Sequence, residues 1–163
     1  MAGIRRARSG DAETIARIHV EAYETALEGV VLRDVLDRAA SGRHAMWVAL
    51  LSEPPPDQAV FVHEDDTVSG FISAGPSRDG QAHATGEVYA LFVNPQRWDS
   101  GIGAALLQRG LDHLHSLNVS AVRLWVLDSN DRARTFYEAR AWAHTGEVRD
   151  DDRGRFLRYG RAL

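Results

Sequence analysis

The sequence feature that most constrains the fold is a strand, a polar turn and a helix start in direct succession over residues 87–104. The order is Glu-Val-Tyr-Ala-Leu-Phe-Val, then Asn-Pro-Gln-Arg-Trp-Asp-Ser, then Gly101-Ile-Gly103-Ala. Glycines let the backbone approach a ligand closely, and the free N–H groups and positive dipole end of a helix favour negative charge. This stretch therefore predicts an anion site, and phosphate is the natural ligand.

Two other phosphate-binding motifs fit the stretch less well. A Walker loop needs Gly-Lys followed by Ser or Thr, but the chain has no lysine and its 19 basic residues are all arginine. A dinucleotide fingerprint needs Gly-x-Gly-x-x-Gly soon after a strand, whereas Leu106 occupies the third glycine position and seven residues separate Val93 from Gly101. Asp128 ends the next predicted strand, where an acid can hold a ribose hydroxyl, and it keeps the dinucleotide alternative open.

Two consecutive segments carry a resemblance to a known family. The stretch from Glu87 through Trp98-Asp-Ser-Gly-Ile-Gly-Ala-x-Leu-Leu resembles the acetyl-coenzyme A motif of the GNAT superfamily of N-acetyltransferases. Residues 124–142, Leu-Trp-Val-Leu-Asp-Ser-Asn-Asp-Arg-Ala-Arg-Thr-Phe-Tyr-Glu-Ala-Arg-Ala-Trp, resemble the next GNAT motif, in order and at the expected distance. The resemblance is firm over the C-terminal part of the chain and loose over the N-terminal half.

Composition limits the classes of protein to consider. With 163 residues, 44% hydrophobic and 26% charged, the chain suits one globular domain over residues 1–163. The net charge of −4 with intermixed signs suggests neither a nucleic acid nor a membrane as partner. The absence of cysteine excludes disulfides, thiolate catalysis and sulfur-ligated metal, and the scattered histidines predict no metal site. Because no apolar signal segment follows the first charges, we expect a cytoplasmic protein.

Hydrophobic periodicity predicts alternating helices and strands. The order is a strand, two helices, three strands, a helix, a strand, a helix and two strands, which predicts an α/β fold of the α+β type: a mixed sheet with helices on both faces. The resemblance adds a GNAT-like fold whose mostly antiparallel sheet is splayed at the cofactor cleft. The predicted segments are strands at 4–7, 59–63, 68–74, 87–93, 119–127, 142–148 and 156–159, helices at 12–26, 32–39, 101–117 and 133–140, a third apolar helical turn set at 46–51, and a polar loop at 75–86.

The chemistry of acetyl transfer assigns roles to two side chains. An alkyl amine with a pKa of about 10.4 is mostly protonated at neutral pH, so a base must remove a proton before attack on the thioester. Glu87 is the candidate base, because the resemblance places a carboxylate there that acts through an ordered water. The leaving thiol has a pKa of about 8.5, so a proton donor assists its release. Tyr137 matches the tyrosine that does this in many GNAT enzymes.

Cofactor contacts follow from the same resemblance and are mostly made by the main chain. Backbone groups of Leu91, Phe92 and Val93 would stabilise the oxyanion and pair with the pantetheine arm. Asn130, a helix N-cap by its position, would also contact coenzyme A, and Tyr23 is the candidate for the acceptor side, with a core aromatic as the alternative. The pyrophosphate would bind N–H groups of Trp98, Asp99, Ser100, Gly101, Ile102, Gly103 and Ala104.

Three positions depart from the family pattern. Trp98 stands where arginine or glutamine is commonest, Asp99 where glycine is frequent, and Ala141 where the motif usually has glycine. Asp99 would place a negative charge beside the phosphates unless it turns outward as a helix-start residue. Arg97, Arg132 and Arg134 are candidates to offset that charge.

The resulting interpretation is an enzyme that transfers acetyl from acetyl-coenzyme A to a primary amine of a small molecule by direct attack. No cysteine or serine triad is present to carry a covalent intermediate. The alternatives are acetylation of a protein N-terminus or lysine, and a coenzyme A-binding regulatory module without catalysis. GNAT proteins are often dimers, so a homodimer is a further expectation.

Overall fold

A computed structural model describes residues 2–79 and 84–163 and contains one mixed sheet flanked by helices. The seven strands lie in the order β1-β2-β3-β4-β5-β7-β6. They are β1 (Gly3–Arg6), β2 (Ala59–Glu64), β3 (Val68–Pro76), β4 (Thr85–Val93), β5 (Ala121–Leu127), β6 (Ala143–Asp151) and β7 (Gly154–Ala162). The helices are α1 (Ala12–Leu27), α2 (Arg33–Ala40), α3 (Arg43–Ser52), α4 (Ile102–Ser116) and α5 (Asp131–Glu138). The predicted fold class is confirmed.

The sheet opens between its two central strands. All pairs are antiparallel except β4 with β5, which run parallel and pair over only three residues, from Thr85 to Glu87 on β4. Beyond Glu87 the two strands diverge, while β4 stays paired with β3 as far as Val93. This fork leaves unpaired main chain along β4 and creates the space in which the candidate site lies.

Helices cover both faces because the strands alternate their side chains. On β3, Ile72 joins the large core under α4, whereas the neighbouring Phe71 packs against Trp47 and the α1 side. Helix α4 lies very close to the sheet at Gly110, where an added Cβ would come within 2.5 Å of Ile72. A third cluster joins α1 and α2 to the ends of β5 and β7, including Leu27, Leu127 and Phe156.

The structure differs from the predicted elements in three places. The apolar residues at 46–51 belong to a full helix, α3. The chain between β1 and β2 therefore contains three helices, where two were predicted. The closing hairpin is longer than predicted, because ion pairs such as Arg155 with Asp150 let charged residues stay in the paired strands. The polar loop is shorter than predicted, since β3 runs through Pro76 and β4 begins at Thr85; residues 80–83 of that loop lie outside the described residues. Within the described ranges no helix is both long and apolar enough to cross a membrane.

Candidate active site

A cavity of about 580 Å³ opens where β4 and β5 diverge. Its walls come from the end of β4, the turn before α4, the first turn of α4 and one side of α5. The cavity is lined by every predicted cofactor contact and by Tyr137; the predicted residues on its wall are Leu91, Phe92, Val93, Trp98, Asp99, Ser100, Gly101, Ile102, Gly103, Ala104, Asn130 and Tyr137. Glu87 and Tyr23 are not on this wall.

The start of α4 has the geometry that an anion requires. Gly101 has a φ of 83°, the left-handed conformation that glycine adopts without a steric penalty, and turns the chain into the helix. The first N–H groups of an α-helix have no intrahelical partner, so those of α4 open towards the cavity with the positive dipole end. Gly103 faces α5, and an added Cβ would lie 3.4 Å from the Phe136 ring. A larger residue at position 103 would therefore fill this part of the cavity.

Asp99 adopts a left-handed backbone and turns its side chain outward. Its φ is 59°, which explains why a glycine suits this position, and its side chain is 86% exposed. Arg132 donates a hydrogen bond to the Asp99 carboxylate at 3.0 Å and lies 4.0 Å over the ring of Trp98. Of the three candidate arginines, the charge of Asp99 is therefore paired by Arg132, whereas Arg97 pairs with Asp65.

Trp98 anchors this turn to the strand before it. Its indole N–H donates to the carbonyl of Val93 at 2.9 Å. The Asn94 side chain accepts from the N–H of Gln96 and starts the short turn Pro95–Arg97. An aromatic residue can thus replace the usual arginine or glutamine, because the side chain here holds the loop and the backbone remains available for a ligand.

Tyr137 has a buried position on α5 and faces the cavity. The residue is 8% exposed, and its hydroxyl has no hydrogen-bond partner among the described residues. Burial raises the pKa of the Tyr137 hydroxyl well above its usual range. The group therefore stays protonated at neutral pH and can give a proton to a developing anion in the cavity.

Asn130 has the helix-capping role that its position predicts. Its side-chain oxygen accepts from the N–H of Ala133 at 3.1 Å, which caps α5. Asn130 also lines the cavity, so one residue both caps α5 and forms part of the cavity wall.

Glu87 lies at the fork, at the last residue of β4 that pairs with β5. Its side chain is buried, and Arg78 contacts it through two guanidinium nitrogens and the backbone N–H, the shortest contact being 2.6 Å. Hydrogen bonding to Glu87 raises the pKa of Arg78. The sequence analysis missed Arg78, because a loop arginine carries no sequence signal for a partner on the following strand.

Tyr23 lies beside the cavity on the α1 side. Its ring packs against Phe92 with centroids 6.2 Å apart, and its hydroxyl accepts a hydrogen bond from Arg153 at 3.3 Å. Burial raises the pKa of the Tyr23 hydroxyl. Arg153, from the β6–β7 turn, was also missed, since 130 residues separate the two partners in the chain.

A buried histidine packs against Phe92, which is part of the cavity wall. His19 stacks on Phe92 at 4.5 Å, and its Nδ1 accepts a hydrogen bond from the Trp47 indole at 3.2 Å. Burial, aided by the positive charges of Arg43 and Arg153, lowers the pKa of His19 to about 3. His19 is therefore neutral at physiological pH. Over residues 2–79 and 84–163, no group of three or more histidine, aspartate or glutamate side chains is arranged to hold a metal.

Comparisons with known proteins agree with this geometry. Residues 13–142 match the model of the acetyltransferase (GNAT) family. An uncharacterized N-acetyltransferase of Bacillus subtilis, YuaI, is 30% identical over 142 residues, which is 85% of this chain and 79% of that protein. The mycothiol acetyltransferase of Beutenbergia cavernae is 47% identical over 83 residues, but these are 51% of this chain and 27% of that enzyme.

Solved structures share the fold at low sequence identity. The PaiA N-acetyltransferase of Thermoplasma acidophilum, in complex with coenzyme A, has a TM-score of 0.81 at 20% identity, covering 100% of this chain and 99% of that chain. Ard1 of Thermoplasma volcanium has a TM-score of 0.73 at 22% identity, with 99% and 97% covered. At these identities the likeness establishes the fold alone.

Proposed function

This chain belongs to the acetyltransferase (GNAT) family, whose members take the acetyl group from acetyl-coenzyme A, and we propose that it transfers that group to a primary amine of a small-molecule acceptor. The observation that carries the proposal is one cavity at the β4–β5 fork that holds both the free N–H end of α4 and the Tyr137 hydroxyl, which has no hydrogen-bond partner among the described residues. One end suits a pyrophosphate and the other suits a leaving thiolate.

The diphosphate of the cofactor would bind the turn and first helical residues 98–104. Its negative charge complements the dipole of α4 and the N–H groups there. Asp99 does not oppose it strongly, because its carboxylate is turned outward and paired with Arg132. Unpaired main chain on β4, around Leu91 and Phe92, would bind the pantetheine arm as an added strand.

Proton removal from the acceptor ammonium falls to Glu87. It is the carboxylate at the point where the strands separate, four residues along β4 from Leu91 on the cavity wall. Because Arg78 holds both carboxylate oxygens, a water beside the pair would carry the proton from the amine. Arg78 would then orient the Glu87 carboxylate.

The transfer itself forms the N–C bond and breaks the C–S bond. The free amine attacks the acetyl carbonyl, and a backbone N–H of β4 near Leu91 stabilises the resulting oxyanion. Collapse of the intermediate expels the thiolate, which takes the hydroxyl proton of Tyr137. The amide nitrogen would lose its second proton to water as the intermediate collapses, Tyr137 would regain a proton from solvent, and the proton taken from the ammonium would leave through Glu87.

The acceptor side supports a compact substrate rather than a long polypeptide. Arg153 reaches from the β6–β7 turn to Tyr23 on α1, and the same turn contacts α2 through Arg38 and Asp152. Leu36 on α2 and Phe156 on β7 belong to one buried cluster behind these contacts. These bridges obstruct the course of an extended chain across the acceptor side.

Calorimetry with acetyl-coenzyme A, desulfo-coenzyme A and NAD tests cofactor choice, using Gly103→Trp as the variant. Position 103 faces Phe136, so the indole would fill the cavity and abolish binding. Gln108→Trp introduces the same side chain at an exposed position of the same helix and should leave binding intact. Coenzyme A is expected to bind with a Kd in the range of about 1 μM to 1 mM, as for typical substrates.

A panel of primary amines, monitored for free thiol release, then tests catalysis. Turnover with small amines and none with peptides supports the proposal. Binding of acetyl-coenzyme A without turnover of any amine would favour the regulatory module. Binding of NAD in preference to coenzyme A would favour the dinucleotide alternative. Acetylation of only a peptide N-terminus or lysine would identify a protein acceptor in place of a small molecule.

A further inference from the structure

Three arginines from separate elements lie near one another: Arg153 bonds Tyr23, Arg149 shares the Phe156 ring with Arg153, and Arg43 lines a depression with Arg153. Arg43 begins α3, Arg149 lies on β6, and Arg153 occupies the β6–β7 turn. We call these three residues the arginine cluster. Arg153 is the member with a carboxylate partner, Asp151, at 2.5 Å, and it also donates to the Tyr23 hydroxyl.

The other two members lack a direct acidic partner among the described residues, where neither Arg43 nor Arg149 forms a salt bridge with an acidic side chain. Burial lowers the pKa of both arginines, and the nearby positive charge of Arg153 lowers it further. The charges of Asp151 and Glu87 act on Arg149 in the opposite direction and raise its pKa in part. Arg43 is half-buried and Arg149 is exposed, and guanidinium groups that repel each other are stabilised by an added anion.

The cluster is accessible and has aromatic support. Arg43 and Arg153 line a second depression of about 390 Å³ together with Arg38 and Asp152, which form an ion pair, whereas Arg149 lies outside it. Arg149 lies over the rings of Trp125 and Phe156, with its guanidinium carbon 4.8 Å and 5.0 Å from the ring centroids. Stacked guanidinium groups hold their planar donor edge in a defined direction, which suits a planar group with two oxygen acceptors.

The cluster lies next to the reacting centre. Arg149 lies over Trp125, which is two residues along β5 from Arg123, the residue that pairs with Glu87. Tyr23, bonded to Arg153, packs on Phe92, which lines the cofactor cavity. A small molecule whose amine points to Glu87 can therefore extend its other end towards the arginine cluster.

Resting on the proposed function, we propose that the acceptor amine also carries a carboxylate, which Arg43, Arg149 and Arg153 bind. The substrate class is then an amino acid or another amino-carboxylic acid. The carboxylate supplies the direct ion pair that Arg43 and Arg149 lack within the described chain. The arginine cluster selects and orients the acceptor, while the groups at the fork move the protons.

Matched acceptors test this proposal. Amino acids and ω-amino acids are each assayed beside their amides, which keep the amine and remove the negative charge. For the wild type we expect kcat/KM to favour the acid by about tenfold to a hundredfold, the range for hydrogen bonds to charged groups. Arg149→Gln and Arg43→Gln should reduce the acid-to-amide ratio by about tenfold each, mainly through KM of the acid.

Arg155→Gln is the matched control for lost charge. Arg155 lies on the same hairpin but is exposed and paired with Asp150, so its loss should leave the acid-to-amide ratio unchanged. Comparing the acid-to-amide ratio of a variant with that of the wild type cancels the difference in amine reactivity between an acid and its amide. A second, activity-independent measurement is calorimetry of N-acetyl amino acids and N-acetyl amino acid amides on the complex with coenzyme A, where only the acids should bind.

The outcomes separate the two proposals. If amides and acids are acetylated equally and the Arg149 and Arg43 variants keep the wild-type ratio, the carboxylate inference is wrong while the acetyltransferase activity stands. Preference for amino-phosphonates over carboxylates, lost in the same variants, would replace the carboxylate by a phosphonate or phosphate. If acetyl-coenzyme A neither binds nor turns over with any amine, the proposed function itself fails, and the acceptor inference fails with it.

Discussion

Arg132, on the first turn of α5, donates a hydrogen bond to Asp99 at 3.0 Å across the mouth of the cofactor cavity. The pair resolves the electrostatic conflict that an acid at position 99 would otherwise create with a bound diphosphate. It also ties the turn before α4 to the helix that carries Tyr137. The same guanidinium covers the ring of Trp98, so a single arginine supports both unusual residues of this turn.

Removing the charge of Asp99 should tighten cofactor binding. Asp99→Asn keeps a residue that tolerates a left-handed backbone, and it should lower the Kd of acetyl-coenzyme A by about twofold to fivefold, the scale of an exposed charge pair. Arg132→Gln should raise the Kd by a similar factor. Both changes should shrink as salt rises from about 0.02 M to about 0.3 M, because exposed charges are screened. Unchanged calorimetric affinity in both variants would remove this pair from cofactor binding.

Replacing Tyr137 by Phe should slow turnover without weakening cofactor binding. Loss of the proton donor should reduce kcat by about tenfold or more. This is a small loss for a general acid, because the leaving thiol has a low pKa and can depart as a thiolate without protonation. Tyr159→Phe is the control, because Tyr159 is buried in the same core but is bonded to Glu138 and Arg134, away from the cavity wall. Equal kcat in wild type and Tyr137→Phe would exclude the general-acid role.

Replacing Glu87 by Gln should reduce kcat/KM by about a hundredfold or more for amines that are protonated at the assay pH. The loss should be much smaller for an acceptor whose amine pKa lies below that pH, because such an amine is already free. Arg78→Gln breaks the same ion pair but keeps the carboxylate, and it should cost less activity. If the two variants lose kcat/KM equally, whatever the pKa of the acceptor amine, the Arg78–Glu87 pair has a structural role and Glu87 is not the base.

Replacing Ala141 by Gly should stabilise the protein. Ala141 has a φ of 65° where α5 ends, and the N–H groups of Ala141 and Trp142 bond the carbonyls of Glu138 and Tyr137. This is a Schellman motif, which favours glycine at the left-handed residue. The free energy of unfolding should rise by about 1 kcal/mol in urea titrations. Ala139 lies two residues before Ala141 and has a right-handed helical backbone. Ala139→Gly should therefore lower the free energy of unfolding by about 0.5–1 kcal/mol. Equal effects of the two substitutions would contradict this explanation.

Acidification should destabilise the fold through His19. Its native pKa, about 3, is below the usual value of about 6.5, so the unfolded state binds more protons between these limits. Stability is therefore retained above pH 6.5 and is lost as the pH falls from there towards 3. His19→Asn, which can still accept from Trp47, should remove about 1.4 kcal/mol per pH unit from the slope in this window. His44→Asn, at an exposed position, should keep the wild-type slope, and identical slopes in all three proteins would contradict the prediction.

Local sequence patterns determined most of the elements and the cofactor side. The alternation around Phe71 and Ile72, the helical spacing of α4 and the glycines at 101 and 103 are properties of neighbouring residues, so a linear reading can find them. For the same reason the family was evident from residues 87–142. The catalytic and binding roles of individual side chains stay predictions until they are tested.

Only the tertiary structure decided which distant charges meet. Nothing near Glu87 in the chain indicates that Arg78 will hold its carboxylate, and nothing near Tyr23 indicates Arg153 or Arg43. Burial likewise separates Tyr137 and His19 from ordinary tyrosines and histidines, because desolvation depends on all the elements packed around a group. The sequence by itself therefore determined where we propose that the cofactor binds, whereas the folded arrangement of arginines around the acceptor side decided which acceptor we infer.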